Sequence, residues 1–366
     1  DVLAIPHNSN ISNGRMFSID YPGTDGIDEQ RARAAMRMKV EPVVEVMQHK
    51  GDSECRRDLP GVLGAVDELC ANEQFEYFAM VSTGASDSIE DSAGVEDCGQ
   101  GFWADWGINL GPSCRSRLNY IRTTLIEGLK EEERIGVNPF KFGLTSSTDT
   151  HNGIPGAVAE KTFPGHLGFG DDTVLKRTSW DKQYAGNASN SPGGLIGVWA
   201  EENSRESLFV ALRNKEVFST TGPRIKPRLF GGWKYQEDLC DAPHRLQRAF
   251  SDGVPMGRDL PAEGQSSAPT FLISALADPG TDALPGTPLQ RLQIIKGWVD
   301  NDGRGHEKVF DVAGDANNGA TVDTDTCEQT GDGFQQLCTV WSDPEFDAGQ
   351  RAFYYARAVE NPSCRY

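Results

Sequence analysis

"FGLTSSTDTHNG" (142–153) runs from a short apolar stretch into Ser and Thr, and then places Asp149 and His151 two residues apart. If the backbone stays extended there, both side chains project to the same face. A carboxylate beside an imidazole is half of a site for zinc, manganese or iron. The same two residues also suit a turn aspartate and a surface histidine, and Asp-x-His alone does not choose between them. The surroundings decide. If "FGLTS" is a strand of a parallel sheet, whatever follows it lies at the strand's C-terminal end, where active sites gather.

Upstream, "SCRSRLNYIRTTLIEGLKEEERIG" (113–136) reads as a helix, with Leu118, Ile121, Leu125 and Leu129 on one face and Gly136 as its stop. Downstream, "GLIGVWA" (194–200) reads as a strand and "SRESLFVALRNKEV" (204–217) as a helix, with Asn203 and Glu206 as a capping box. Nearer the start, "DVLAI" and "PVVEVMQ" (42–48) read as buried strands on either side of a helix that Asp28 can cap. Residues 1–228 therefore read as an α/β domain, with loop-rich insertions near 51–112 and 152–193. Beyond "STTGPRI" the pattern changes. "TFLISALA", "LQRLQIIKGWV", "EKVFDVA" and "FYYARAVE" are short strands between Gly, Pro and Asp turns, with no helix among them. Residues 229–366 read as a separate β-rich, sandwich-like domain.

The net charge of −19 sets nucleic-acid backbones aside as partners. No apolar run approaches the roughly 18–20 residues that cross a bilayer. The chain starts with Asp1 inside a strand-like stretch rather than with Met, so an upstream segment is expected. The eight cysteines include no C-x-x-C pair, which argues against a zinc ribbon or a thioredoxin-type site. Their even number suggests disulfides and a periplasmic or secreted location. In "TCEQTGDGFQQLCTVW", a Cys327–Cys338 bridge would close a polar loop between two strand-like ends.

His7 directly follows "VLAIP", so it too stands at a strand end and could meet Asp149 and His151. Glu45 sits inside the buried run "VVEVMQ" and needs a partner or a metal there. Glu54 lies in the loop beyond. His49, between Gln48 and Lys50, is either a ligand or a solvated side chain, and His166 in "FPGHLGFG" could close over a site. Arg15 suits either an anionic substrate group or a surface salt bridge. A G-x-S-x-G elbow, H-E-x-x-H and a Walker loop are all absent.

"AIPHNSN" resembles the strand-then-histidine motif of the polymerase and histidinol phosphatase (PHP) metallohydrolases, and "GLTSSTDTHNG" resembles their late Asp-x-His motif. Together with "VEVMQHKGDSE" and "GVWAEENSRESLFVALRNKEVFSTTGPRI", these stretches resemble more closely a related bacterial family (domain of unknown function 3604 type) through most of residues 1–232. That resemblance implies a distorted (β/α) barrel with a cluster of divalent metal ions (zinc, manganese or iron) at its strand ends. It also implies phosphoester hydrolysis on a small phosphorylated molecule. His7, Asp149 and His151 would be metal ligands, with Glu45 and Glu54 matching less closely, Asp149 and His151 catalytic, and Arg15 orienting substrate. The His-x-His strand that opens PHP proteins is absent, so the barrel is expected to be incomplete at its N-terminus. The rival expectation is a secreted binding protein on the same fold, with a structural metal.

Overall fold

A computed structural model describes residues 2–12, 14–57, 62–64, 67–74, 116–180, 188, 190–261 and 267–365. The first half is built around β1 (Val43–Gln48), which runs parallel to β4 (Gly143–Ser146) and pairs on its other side with β2 (Gly51–Asp52). All of β1 is buried, as expected for a strand covered on both faces. Val44, Val46 and Met47 pack with Phe17, Leu118, Ile121 and Phe140. α1 (Ile27–Val40) precedes β1. Its N-cap is Gly26, with Asp28 inside the first turn rather than at the cap.

Residues 2–8 form neither a helix nor a strand ladder, and Asn8 takes a left-handed backbone, φ +59°. Single hydrogen bonds, Ala4 N–H to Val40 O (2.8 Å) and Glu45 N–H to Pro6 O (3.0 Å), lay them beside β1. Downstream, β5 (Leu195–Val198) and β6 (Val217–Thr220) form a hairpin around α4 (Arg205–Asn214), and Ser219 meets Ser146 of β4. Ser204, not Asn203, caps α4, accepting from Ser207 N–H at 3.2 Å. The described residues contain no closed barrel.

α2 (Ile121–Ile135) is shorter than its sequence pattern suggests. A 3-10 turn, Arg117–Asn119, precedes it, and Gly136 ends it with φ +79°. The expected first residues of this helix, 113–115, lie outside the described residues, as does most of the 51–112 stretch. α2 is a shared wall. Ile121 faces the β1 core, whereas Ile126 and Leu129 pack against Val299 and Phe353 of the second half.

That second half consists of two packed sheets. One has the order β15 (Ala352–Glu360), β10 (Leu289–Val299), β11 (Gly305–Gly314), β3 (Val62–Gly64), with β3 parallel to β11. The other has the order β14 (Gln336–Ser342), β9 (Thr270–Leu276), β7 (Lys226–Gly232), β8 (Gly253–Pro255). Phe271, Ile273 and Ala275 of one sheet meet Leu292 and Ile294 of the other in a common core. A small ribbon, β12 (Thr321–Val322) with β13 (Gln329–Thr330), stands apart. β7 straddles the expected boundary at 228/229. One helix interrupts the strands where none was expected, α5 (Arg245–Asp252); α3 (Val174–Thr178) lies earlier, in the 152–193 stretch.

Three disulfides join described residues: Cys55–Cys70, Cys240–Cys338 and Cys327–Cys364. The expected Cys327–Cys338 bridge is therefore incorrect. Cys327 precedes β13 and meets the C-terminal segment, while Cys338 on β14 bonds to the 3-10 turn Glu237–Cys240 that packs on its sheet. Cys98 and Cys114 lie outside the described residues.

Candidate metal centre

Because β1 and β4 run parallel in register, their C-terminal ends lie side by side, and Ser147 N–H donates to Met47 O at 3.0 Å. The segments that follow the two strands come together there: His49, the residue after β1, and Asp149, three residues past β4, have Nε2 and Oδ2 3.1 Å apart. Asp149 takes a left-handed backbone, φ +48°, so the chain turns sharply there instead of staying extended. His151 nevertheless joins the group. One ligand atom each from His49, Asp149 and His151 lies within 4.8 Å of the others. His151 is exposed, while His49 is 1% exposed.

The 152–193 stretch forms the cover. His151 N–H donates to His166 O at 2.7 Å, and Asp171 fixes that loop by accepting from the backbone N–H of His166 (2.5 Å) and Leu167 (2.8 Å). Ser191 N–H donates to His49 O at 3.0 Å. Gly193, at φ +78°, passes so close that a Cβ there would meet Ser147 O at 2.8 Å and His49 N at 3.1 Å. The approach of this segment is what buries His49.

Three donors focus on one oxygen. Asp149 Oδ2 faces His49 Nε2, the Lys50 ammonium and the Gln48 side-chain amide (3.3 Å). Burial opposes ionisation of Asp149, but the hydrogen bonds from His49 and Lys50 outweigh it and hold the carboxyl well below the usual range. Burial pushes the His49 and His166 imidazoles down, towards the neutral form that binds metals. His166 donates from Nε2 to Pro192 O at 2.8 Å, which leaves Nδ1 as a bare acceptor. His166 Nδ1, His49 Nδ1 and Glu45 Oε2 are buried without a hydrogen-bond partner. Such atoms carry a desolvation cost that a bound cation can relieve. The donor set of imidazole and carboxylate fits a divalent transition metal.

The other expected site residues are divided. Glu45 is buried, accepts from the Ser147 hydroxyl, and is pushed up chiefly by burial; the fields of both His7 and Asp149 reach it. His7 is exposed and outside the three-residue group, with Nδ1 at 3.3 Å from Ile5 O. Arg15 is exposed at the start of a 3-10 turn. Glu54 points elsewhere. It accepts from Arg122 Nη2 and from the Tyr355 hydroxyl, both at 2.6 Å, at the seam between the two halves. Sequence reasoning left His49 undecided and gave Lys50 and Gln48 no role. Their position at the C-terminal end of a buried, mostly apolar strand is the signal that points to them.

A strand-end His/Asp cluster on a mixed α/β scaffold, joined to a two-sheet β unit, defines a class of protein rather than an activity. The chain belongs to the DUF3604 family of proteins of unknown function, whose profile matches residues 1–366. No curated protein and no solved structure matches it.

Proposed function

We propose that this protein is a metal-dependent hydrolase of the phosphoesterase type, related in fold to the PHP metallohydrolases and acting on a small phosphorylated molecule. The convergence of His49, Asp149 and His151 at the ends of two parallel strands carries this reading. These three residues would hold zinc, manganese or iron, with Glu45 and His166 as buried neighbours whose unpaired atoms suit further ions. A divalent ion held there lowers the pKa of a bound water towards about 7 and polarises a phosphoryl oxygen. The protein's own residues supply the rest. Asp149 stays ionised because His49 and Lys50 bond to it. Lys50 places a cation at the mouth of the cluster, where an anionic ester would dock against the global negative field. His151, exposed, is the member of the group that a substrate reaches first. The three disulfides support an oxidising compartment, periplasmic or extracellular.

The test combines metal analysis with turnover of p-nitrophenyl phosphate and its diester. The protein loaded with each metal and then dialysed should retain it and hydrolyse one of these esters. Asp149→Asn should weaken metal retention by more than about 100-fold, the upper range seen when only an outer partner of a ligand is removed. A wild-type protein that retains no zinc, manganese or iron would overturn the proposal.

A further inference from the structure

A cavity lies on the outer face of the β14-β9-β7-β8 sheet, lined by none of the residues of the His/Asp cluster. Alternate residues of β7 divide between two faces. Leu229 joins the core between the sheets, whereas Phe230 packs under α5 and the 3-10 turn with Tyr235, Leu239 and Ala249. Lys226 and Arg228 share the outer face with Phe230 but extend beyond this helical cover. In register, Arg228 pairs with Ser274 and Ser274 with Cys338, while Lys226 pairs with Leu276 and Leu276 with Gln336. These two rows floor a cavity of about 850 Å³, walled by Glu237, Asp241 and Arg245 on one side and by Trp199 on the other. The Cys240–Cys338 disulfide ties the wall to the floor.

Arg228 is the notable group. Its guanidinium lies over the Trp199 indole, 3.5 Å from the ring centroid. The indole is itself fixed, donating from Nε1 to Pro227 O at 3.1 Å and packing on Phe218. Stacking satisfies one face of the guanidinium but none of its N–H donors. Among the described residues no acceptor hydrogen-bonds them, and the Ser274 and Gln336 side chains have no hydrogen-bond partner there either. Glu237 and Asp241 line the same cavity without pairing with Arg228. A half-buried arginine seated over an aromatic ring keeps its N–H donors for whatever enters.

We propose that this cavity binds a sugar acid, a polyhydroxylated ligand with a single carboxylate. The carboxylate meets the Arg228 fork in its plane, the geometry that such a pair prefers. Lys226 adds a second cation. The carrier's hydroxyls reach Ser274 and Gln336 on the floor and Glu237 and Asp241 on the wall, which accept from hydroxyls and repel further negative charge. Those wall carboxylates, with the −19 net charge, favour one anionic group over a polysulfated or polyphosphorylated ligand.

Isothermal titration with D-glucuronate, D-galacturonate and their short oligomers tests this, with D-glucose and a sulfated monosaccharide as comparisons. A uronate should bind and glucose should not. Arg228→Gln should weaken binding roughly tenfold or more, the loss expected for a charge-assisted pair. Ser274→Ala, a smaller change that leaves the Trp199 stack intact, should weaken it less but measurably. Asp149→Asn should leave uronate binding unchanged, so failure of the metal reading and failure of this one are told apart. No binding of any uronate, equal binding of glucose, or preference for the sulfated sugar overturns the assignment. So does uronate binding that survives both Arg228→Gln and Ser274→Ala.

Discussion

Arg122→Met should be among the most damaging single changes in this protein, and its cost can be worked from the seam between the two halves. Arg122 is 1% exposed. It donates to Glu54 (2.6 Å), Asp67 (2.9 Å) and Glu307 (3.4 Å), and from Nε to the Tyr355 hydroxyl (2.9 Å). Arg357 is the second cation of this network, at 2.8 Å from Asp67 and 3.4 Å from Glu54. Methionine fills most of the volume but leaves Arg357 alone against Glu54, Asp67 and Glu307. Removing one partner from a buried ion pair costs about 3–5 kcal/mol, because the remaining charges stay desolvated. For Glu54 and Asp67, burial favours the neutral form, but Arg357 and Arg122 outweigh it and hold both carboxyls below the usual range. A depressed carboxyl contributes stability that is present above its unfolded pKa and lost as the pH falls through its folded pKa. The penalty for Arg122→Met should therefore be full at neutral pH and shrink in acid, as the orphaned carboxylates protonate. High salt should leave it largely intact, since screening hardly reaches buried charges. Urea unfolding followed by tryptophan fluorescence, at neutral and acid pH, measures it. A loss below about 1 kcal/mol at neutral pH, or one that does not shrink on acidification, would refute the reasoning.

Three further outcomes are expected. Gly193→Ala should displace the segment over His49, because its Cβ would press on backbone at 2.8–3.1 Å and its φ of +78° disfavours any side chain; metal retention should fall more than thermal stability does. Burial and the Asp278 charge push the Glu360 carboxyl up to about 7 from an ordinary 4.5, so stability should decline by up to roughly 3 kcal/mol as pH rises across that window, and Glu360→Gln should flatten the slope in a pH series of melting curves. Thiol titration of the denatured, unreduced protein should find no more than two free thiols, because six of the eight cysteines are paired; a higher count would refute the pairing.

The legible parts of the fold were those set by local pattern. β1 shows itself as an apolar run interrupted by Glu45 and closed by Gln48, and α2 by its periodicity and the glycine that ends it. α5 was missed although Leu246, Ala249 and Phe250 stand at i, i+3 and i+4, because its eight residues are shorter than the stretch over which a helical period is read. "DVLAI" has the composition of a strand, but it makes isolated hydrogen bonds to neighbouring segments instead of a ladder, and pairing is not a property of one segment. The disulfides failed for the same reason. Cys327 and Cys338 are neighbours in sequence, yet the ribbon carries one towards Cys364 and the sheet turns the other towards Cys240.

The site divides along the same line. Asp149 and His151 could be singled out because a strand end and a metal-binding residue pair coincide in one stretch. His49 could not be decided from its flanking Gln48 and Lys50, which read as solvated. It is buried by Ser191 and Gly193, which are more than a hundred residues away and become visible only once the loop has folded over the strand ends. Glu54 shows the opposite error. An acid past a strand looks like a ligand, but Arg122, Tyr355 and Arg357 claim it from the far side of the seam. Buried charge must be neutralised by something, and sequence alone does not say whether a metal or an arginine does it. At Glu54 the neutralising groups are arginines. At His49 and Asp149, Lys50 supplies one positive charge while the Nδ1 atoms of His49 and His166 and Oε2 of Glu45 stay unpaired, and that remaining demand is what an ion could meet.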